Sequence, residues 1–193
     1  VPEAFIAQVF DVMQRCPQHT FQVLTKRAAR LARLAPRLPW PTNVWIGVSV
    51  ETPAYFWRVD FLRRVAAAVR FVSAEPLLAC LRGLDLTGVH WLIAGGESQP
   101  GCRPAELDWF RELRDGCVAA EVAFFLKQLG GHPSKRGGEE AVLDGRRWLE
   151  LPVRTAAAVP QAQFVRSSGK TRRHADASKR AAIDTARRSD CFA

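Results

Sequence analysis

Five short apolar runs, each closing on charged or small polar residues, constrain the fold of this chain more than any other feature. They are TFQVLTKR (20–27), VWIGVSVE (44–51), RFVSAEP (70–76), WLIAGGES (91–98) and VAFFLKQLGG (122–131). Near-continuous apolar runs of this length are strands covered on both faces, as in parallel sheets. They recur every 20 to 30 residues or so, the length of a right-handed β-α unit. Polar residues at the C-terminal ends of parallel strands form the working rim of an α/β sheet or barrel. The class is therefore α/β, with mainly parallel strands.

The intervening segments carry helical periodicity. Pro2 and Glu3 open a helix that runs to Arg15, with Phe5, Ile6, Val9, Val12 and Met13 as its apolar face. Further helices are expected over Ala28–Ala35, over Ala54–Val65 with a core aromatic stripe (Phe56 or Trp57 with Phe61), and from Pro104. In the last of these, Leu107, Phe110, Leu113 and Cys117 share a face. The strands are expected at Thr20–Thr25, Val44–Val50, Arg70–Ala74, Val89–Ala94 and Val122–Leu126. Gly47 inside the second implies a close backbone approach. Leu77–Leu86 is a poorly patterned connection, and Leu143–Leu151 a short closing segment. Five strands do not close an eight-stranded barrel, so either the sheet is open or units are missing. The initial Val is equally explained by removal of an initiator methionine.

Composition sets the outer limits. The chain of 193 residues suffices for one domain with a real core, here residues 1–152. Residues 153–193 are rich in Ala, Arg and Ser and hold nine Lys/Arg against three Asp/Glu, most of the net charge of +9. They read as a basic, disordered or non-homologous tail, with a short helix conceivable at Ala177–Arg188 and nucleic acid as a partner that its charge would suit. No apolar run approaches the roughly 20 residues that span a bilayer, and the N-terminus lacks a secretory layout, so no membrane association and a cytoplasmic location are expected. The five cysteines (Cys16, Cys80, Cys102, Cys117, Cys191) are scattered, with no pair at metal-ligand spacing, and no protein-bound metal is expected.

Candidate chemistry lies at the strand ends. Glu51, Glu75 and Glu97 occupy the same local position after three strands, so parallel neighbours bring their carboxylates to one rim. Ser49, Ser73 and Ser98 stand beside them as small hydrogen-bonding groups, and Gly95 and Gly96 leave bare backbone. Lys26 and Lys127 flank the set, either to bind a carboxylate or phosphate or to neutralise the acids. His19 and His90 fall at strand starts on the opposite rim, and His132 and His174 in polar loops, so a Ser-His-Asp triad is not expected. GGES matches neither a dinucleotide nor a Walker fingerprint.

Taken together, TFQVLTKR, PTNVWIGVSVE, RFVSAEPLL, WLIAGGESQPGCRP, FFLKQLGG and DGRRWLELP resemble the uncharacterised bacteriophage protein family of gene-product-37/gene-product-68 type. The resemblance spans residues 2 to about 152 and stops short of the tail. It implies a radical-S-adenosylmethionine-like partial (β/α) barrel, in the manner of a partial TIM barrel. It also implies an N-terminal three-cysteine segment holding a [4Fe–4S] iron–sulfur cluster, which this sequence lacks; the chain is thus expected to be truncated at its N-terminus. Ser49 and Glu51 correspond, by resemblance, to a mid-barrel strand that contacts the cofactor, and Glu75 and Glu97 are grouped with them as cofactor-binding candidates. Lys26, Ser73, Gly95, Gly96, Ser98 and Lys127 are assigned to the site rim. S-adenosylmethionine and the cluster are implied for the complete protein, neither binding this chain stably. The expected function is that of a phage-type protein derived from such an enzyme, inactive as this polypeptide, with unknown substrate. The alternatives are a non-catalytic phage or mobile-element protein binding nucleic acid through its tail, and a metal-dependent barrel hydrolase.

Overall fold

The structure is a computed structural model that describes residues 1–153. The expectations of a disordered tail, of a helix at 177–188, and for His174 and Cys191 lie outside the described residues. Helix α1 (Glu3–Arg15) leads into strand β1 (Phe21–Thr25), helix α2 (Ala28–Leu34) and strand β2 (Val44–Ser49). Helix α3 (Trp57–Leu62), strands β3 (Val69–Ala74) and β4 (Trp91–Gly95), helix α4 (Leu107–Ala119) and strand β5 (Ala123–Gln128) follow. A hairpin of β6 (Val142–Leu143) and β7 (Arg146–Arg147) comes last.

The sheet order is β1-β2-β3-β4-β5 and every pairing is parallel. A strand order that never reverses, joined by right-handed crossovers, places every connection on the same face. That face holds the main core. Ile46, Val48, Val72, Ala74, Leu92, Ala94, Phe124 and Leu126 meet Leu62, Phe110, Leu113 and Cys117 there. The β3–β4 connection contains no helix, yet Leu77, Leu81 and Leu86 are buried in this core and take the place of one. The arrangement is compatible with a partial β/α fold.

The alternate residues face the other way. Trp45, Val69, Phe71 and Trp91 are buried there, with Ile93, Ala123 and Phe125 packed against them. Trp91 sits at the centre of this aromatic layer, with ring centroids 5.9 Å from Trp45, 5.7 Å from Phe71 and 5.9 Å from Phe125. Gly47 lies beside Phe71 in register, and a Cβ on it would fall 2.3 Å from the Phe71 ring. The close approach expected at Gly47 is thus made by a side chain, not by backbone.

Four expectations need correction. In α1 the buried residues are Phe10 and Met13, while Phe5 (54%), Val9 (39%) and Val12 (49%) are exposed. Helix α1 is anchored at its end, where the buried Asn43 amide donates to the carbonyls of Met13, Cys16 and His19 at 3.0–3.1 Å, and this sets which face turns inward. The helix expected over 54–65 is a 3-10 turn (Pro53–Tyr55) followed by the six-residue α3. The helix expected from Pro104 begins at Leu107, which is exposed, because Glu106 is still extended. The Leu143–Leu151 segment splits into half of the hairpin and a bridge that covers the outer edge of β5. There Leu126 N–H donates to Trp148 O (2.8 Å) and Glu150 N–H to Phe124 O (3.1 Å).

Candidate functional site at the C-terminal rim

Because the strands are parallel, their C-terminal ends share one rim, and the residues selected from the sequence cluster along it. At the β1–β2 end, Glu51 is buried and bound on both oxygens. Lys26 Nζ lies 2.5 Å from Oε1 and Arg58 Nη1 2.9 Å from Oε2. Arg58 is itself buried on α3, donates to the Ser49 carbonyl at 2.7 Å, and stacks on the Tyr55 ring at 3.9 Å. Burial works against the Glu51 carboxylate, but the Lys26 hydrogen bond, the residue's own backbone N–H and the charges of Lys26 and Arg58 outweigh it. The net effect holds Glu51 below the usual 4.5. Arg58 Nε, by contrast, is buried without a partner among the described residues.

At the centre, Glu75 at the end of β3 receives Lys127 Nζ from β5 at 2.9 Å, across the intervening β4. Gly95 makes this possible: a Cβ there would lie 3.0 Å from the Glu75 carboxyl carbon. Lys127 is the extra residue of a register shift between β4 and β5, where Ala94 pairs with Leu126 but Gly95 with Gln128. Gln128 is buried and donates to Gly96 O at 2.8 Å. Gly96 and Gly130 touch backbone to backbone, since a Cβ on Gly96 would meet Leu129 O at 2.4 Å. Gly130 is held at φ +85, which a side chain would strain. Glu75, Pro76, Gly96, Glu97, Ser98 and Gln128 enclose a polar pocket of about 240 Å³.

Glu97 turns away from the other two acids. Its Oε1 accepts from Arg103 Nη2 (2.8 Å), and its Oε2 from Arg103 Nε (3.0 Å) and backbone N–H (2.8 Å). These bonds close the loop from Ser98 to Arg103 and pull the Glu97 carboxyl down to about 2. Ser49 and Ser73 are buried and paired in register on the aromatic face, one layer below the acids. Ser98 is exposed at the pocket mouth. The three acids thus share a rim, but each is already paired: Glu51 with Lys26 and Arg58, Glu75 with Lys127, and Glu97 with Arg103. Among the described residues no three His, Cys, Asp or Glu side chains come together to hold a metal ion.

Sequence reasoning missed Arg58, Arg103 and the part played by Gln128. Arg103 carried a weak signal, a basic residue six positions after Glu97 in a Pro/Gly-rich loop. Arg58 carried none, because it stands among the aromatics of a stretch that reads as core. On the opposite rim His90 accepts from Arg70 N–H at 3.0 Å. Burial, with help from the Arg70 charge, keeps it below its usual 6.5.

The rim residues all fall inside the stretch that a known family model matches, residues 1–152, described as a protein of unknown function (DUF5131). The chain belongs to the DUF5131 family. The match ends one residue before the last described position. No curated protein and no solved structure matches the chain. Every residue of the DUF5131 rim is therefore assigned from its own geometry. No helix among the described residues is long and apolar enough to cross a membrane.

Proposed function

We propose that the DUF5131 domain of this chain is a radical-S-adenosylmethionine-like enzyme domain from a phage-type protein, with the rim above the aromatic face as its cofactor and substrate side. The observation that carries the reading is the rim itself. Five parallel strands in unbroken order end in three successive acids, Glu51, Glu75 and Glu97, flanked by the ammonium groups of Lys26 and Lys127, over an apolar aromatic layer. A nucleoside that also bears an amino acid group has matching parts: an apolar face for its base, and charges of both signs for its ammonium and carboxylate. Lys26 and Lys127 are the more exposed cations for the carboxylate, while Glu75 and Ser98 bound the pocket that would take hydroxyl or ammonium groups.

A [4Fe–4S] cluster does not fit the described residues. Cys16 caps α1, Cys80 lies in the β3–β4 connection, Cys102 in the loop after β4, and Cys117 is buried inside α4. Three thiolates in one loop are needed, and the described residues do not supply them. The test uses S-adenosylhomocysteine as the probe, with saturation-transfer NMR on the intact chain. Weak, fast-exchanging binding is expected, reduced by Glu75→Gln and by Lys127→Met. Absence of transfer, or transfer indifferent to both substitutions, refutes the reading. A second reading, nucleic-acid binding through residues 154–193, rests on their charge. Salt-sensitive DNA retention that survives removal of those residues would sink it.

A further inference from the structure

In the ion pairs of the rim the acid is the covered partner and the cation the exposed one. The Lys127 side chain is 52% exposed against 21% for Glu75, and that of Arg103 63% against 12% for Glu97. Lys26 and Glu51 repeat the asymmetry, at 61% and 6%. A solute that approaches this end of the sheet therefore meets the cationic half of each pair.

The loop after β5 extends that surface. Residues 131–137 double back on the strand end: Leu129 N–H donates to Arg136 O (3.1 Å), Gly130 N–H to Lys135 O (2.9 Å), and Gln128 bridges Gly137. Gly131 N–H donates to Glu97 O at 2.8 Å, which ties this loop to the one after β4, beside the polar pocket that Glu97, Ser98 and Gln128 help to line. Lys135 and Arg136 are exposed, and among the described residues neither has an acidic partner. Two acids follow in the chain, but Glu140 accepts from the Ser134 hydroxyl (2.7 Å), and Glu139 belongs to the turn Gly138–Glu140, past the bridge that fastens the loop.

Both arginines beside the pocket commit the same edge of the guanidinium to the protein. Arg103 gives Nε and Nη2 to Glu97, while Arg136 gives Nε to Gly130 O (2.9 Å) and Nη2 to Leu129 O (3.4 Å). Nη1 of each keeps its two N–H donors, on a side chain already held in place. The Lys135 stem lies over Gly137, where a Cβ would come 3.3 Å from Lys135 Cε and 3.3 Å from Lys127 O. The missing side chain thus lets Lys135 fold back onto the end of β5.

The number and origin of these cations decide the ligand. A carboxylate offers two oxygens in one plane, and a single guanidinium satisfies both, as Arg103 does for Glu97. A phosphate monoester carries close to two negative charges and three acceptor oxygens, so it suits cations that arrive from separate elements. Here they come from the loops after β4 and β5, around a pocket of about 240 Å³.

We infer that the mouth of this pocket binds the phosphate group of the substrate, through Arg103, Lys135 and Arg136. The inference rests on the rim being the substrate side, as proposed above, and adds the class of substrate, a phosphate ester. The test titrates the full 193-residue chain with adenosine 5′-monophosphate and with adenosine, by saturation-transfer NMR. The monophosphate should bind at least about tenfold more tightly than the nucleoside. Lys135→Glu should cost the monophosphate about tenfold and leave adenosine and S-adenosylhomocysteine unaffected. Lys170→Glu, the same charge change within residues 154–193, should leave the monophosphate affinity as it was. If Lys135→Glu fails to fold by circular dichroism, Lys135→Met takes its place with the same expected direction. A 5′-phosphorylated single-stranded DNA of about ten nucleotides separates two sources of the phosphate. Much tighter, Lys135-dependent binding of the DNA identifies a nucleic-acid strand, and binding no tighter than that of the monophosphate identifies a free nucleotide. Adenosine binding as well as its monophosphate overturns the inference. So do equal effects of Lys135→Glu and Lys170→Glu, and displacement of the monophosphate by a Glu-rich peptide as readily as by inorganic phosphate. A Lys135-dependent monophosphate site on a chain that does not bind S-adenosylhomocysteine would refute the cofactor reading and leave this one standing.

Discussion

Replacing Gly47 with Ala tests the aromatic face on which the rim rests. An added Cβ would lie 2.3 Å from Phe71 Cε2 and 2.5 Å from both Cδ2 and Cζ, well inside van der Waals contact. The ring cannot retreat cheaply, because Phe71 is buried and packed on Trp91 at 5.7 Å. Overpacking of this kind costs about 1–3 kcal/mol. The φ of Gly47 is not in the left-handed region, so Ala meets no backbone strain and recovers about 0.4–1 kcal/mol from the unfolded chain. The net expectation is a loss of roughly 1–2 kcal/mol. Urea unfolding followed by tryptophan fluorescence should give a lower midpoint at unchanged slope. Phe71→Ala alone should cost about 3–5 kcal/mol, through the cavity it leaves. In that background Gly47→Ala should be neutral or stabilising, because its Cβ then enters vacated space. An additive double-mutant cycle, or a Gly47→Ala protein as stable as the parent, would refute the packing argument.

Two further outcomes follow from the same geometry. Glu51 and Glu97 both titrate below the usual glutamate value of 4.5 in the folded chain, Glu97 at about 2, so the unfolded chain binds more protons in that window. Their contribution is present above about pH 4.5 and disappears as pH falls through the folded values. Glu97→Gln should flatten the lower limb of the urea midpoint against pH, and an unchanged limb would contradict its bond to Arg103. Burial pushes the Cys117 thiol up to about 12. Alkylation at neutral pH, read by peptide mass spectrometry, should therefore mark Cys16, Cys80 and Cys102 but reach Cys117 only in denaturant. Modification of Cys117 in the folded protein at a rate like that of the others would place it outside the core.

The positions of the strands, and the rim on which Lys26, Glu51, Glu75, Glu97 and Lys127 would fall, were determined by the sequence alone. A strand covered on both faces needs apolar residues at nearly every position, and helical crossovers recur at β-α spacing. Those requirements are local and leave a readable pattern. Helix α1 shows where the pattern stops. Its amphipathicity was legible, but Phe5, Val9 and Val12 face outward because Asn43, 30 residues beyond Met13, fixes how the helix lies. The pairing of the acids was equally hidden. Glu75 meets Lys127 from 52 residues away only because Gly95 leaves the space between them open. Glu51 is held by an arginine from a helix that reads as aromatic core, and Glu97 spends its charge on its own loop. Burial leaves its mark on each residue, whereas partnership between side chains distant in the chain is written only in the packing that brings them together.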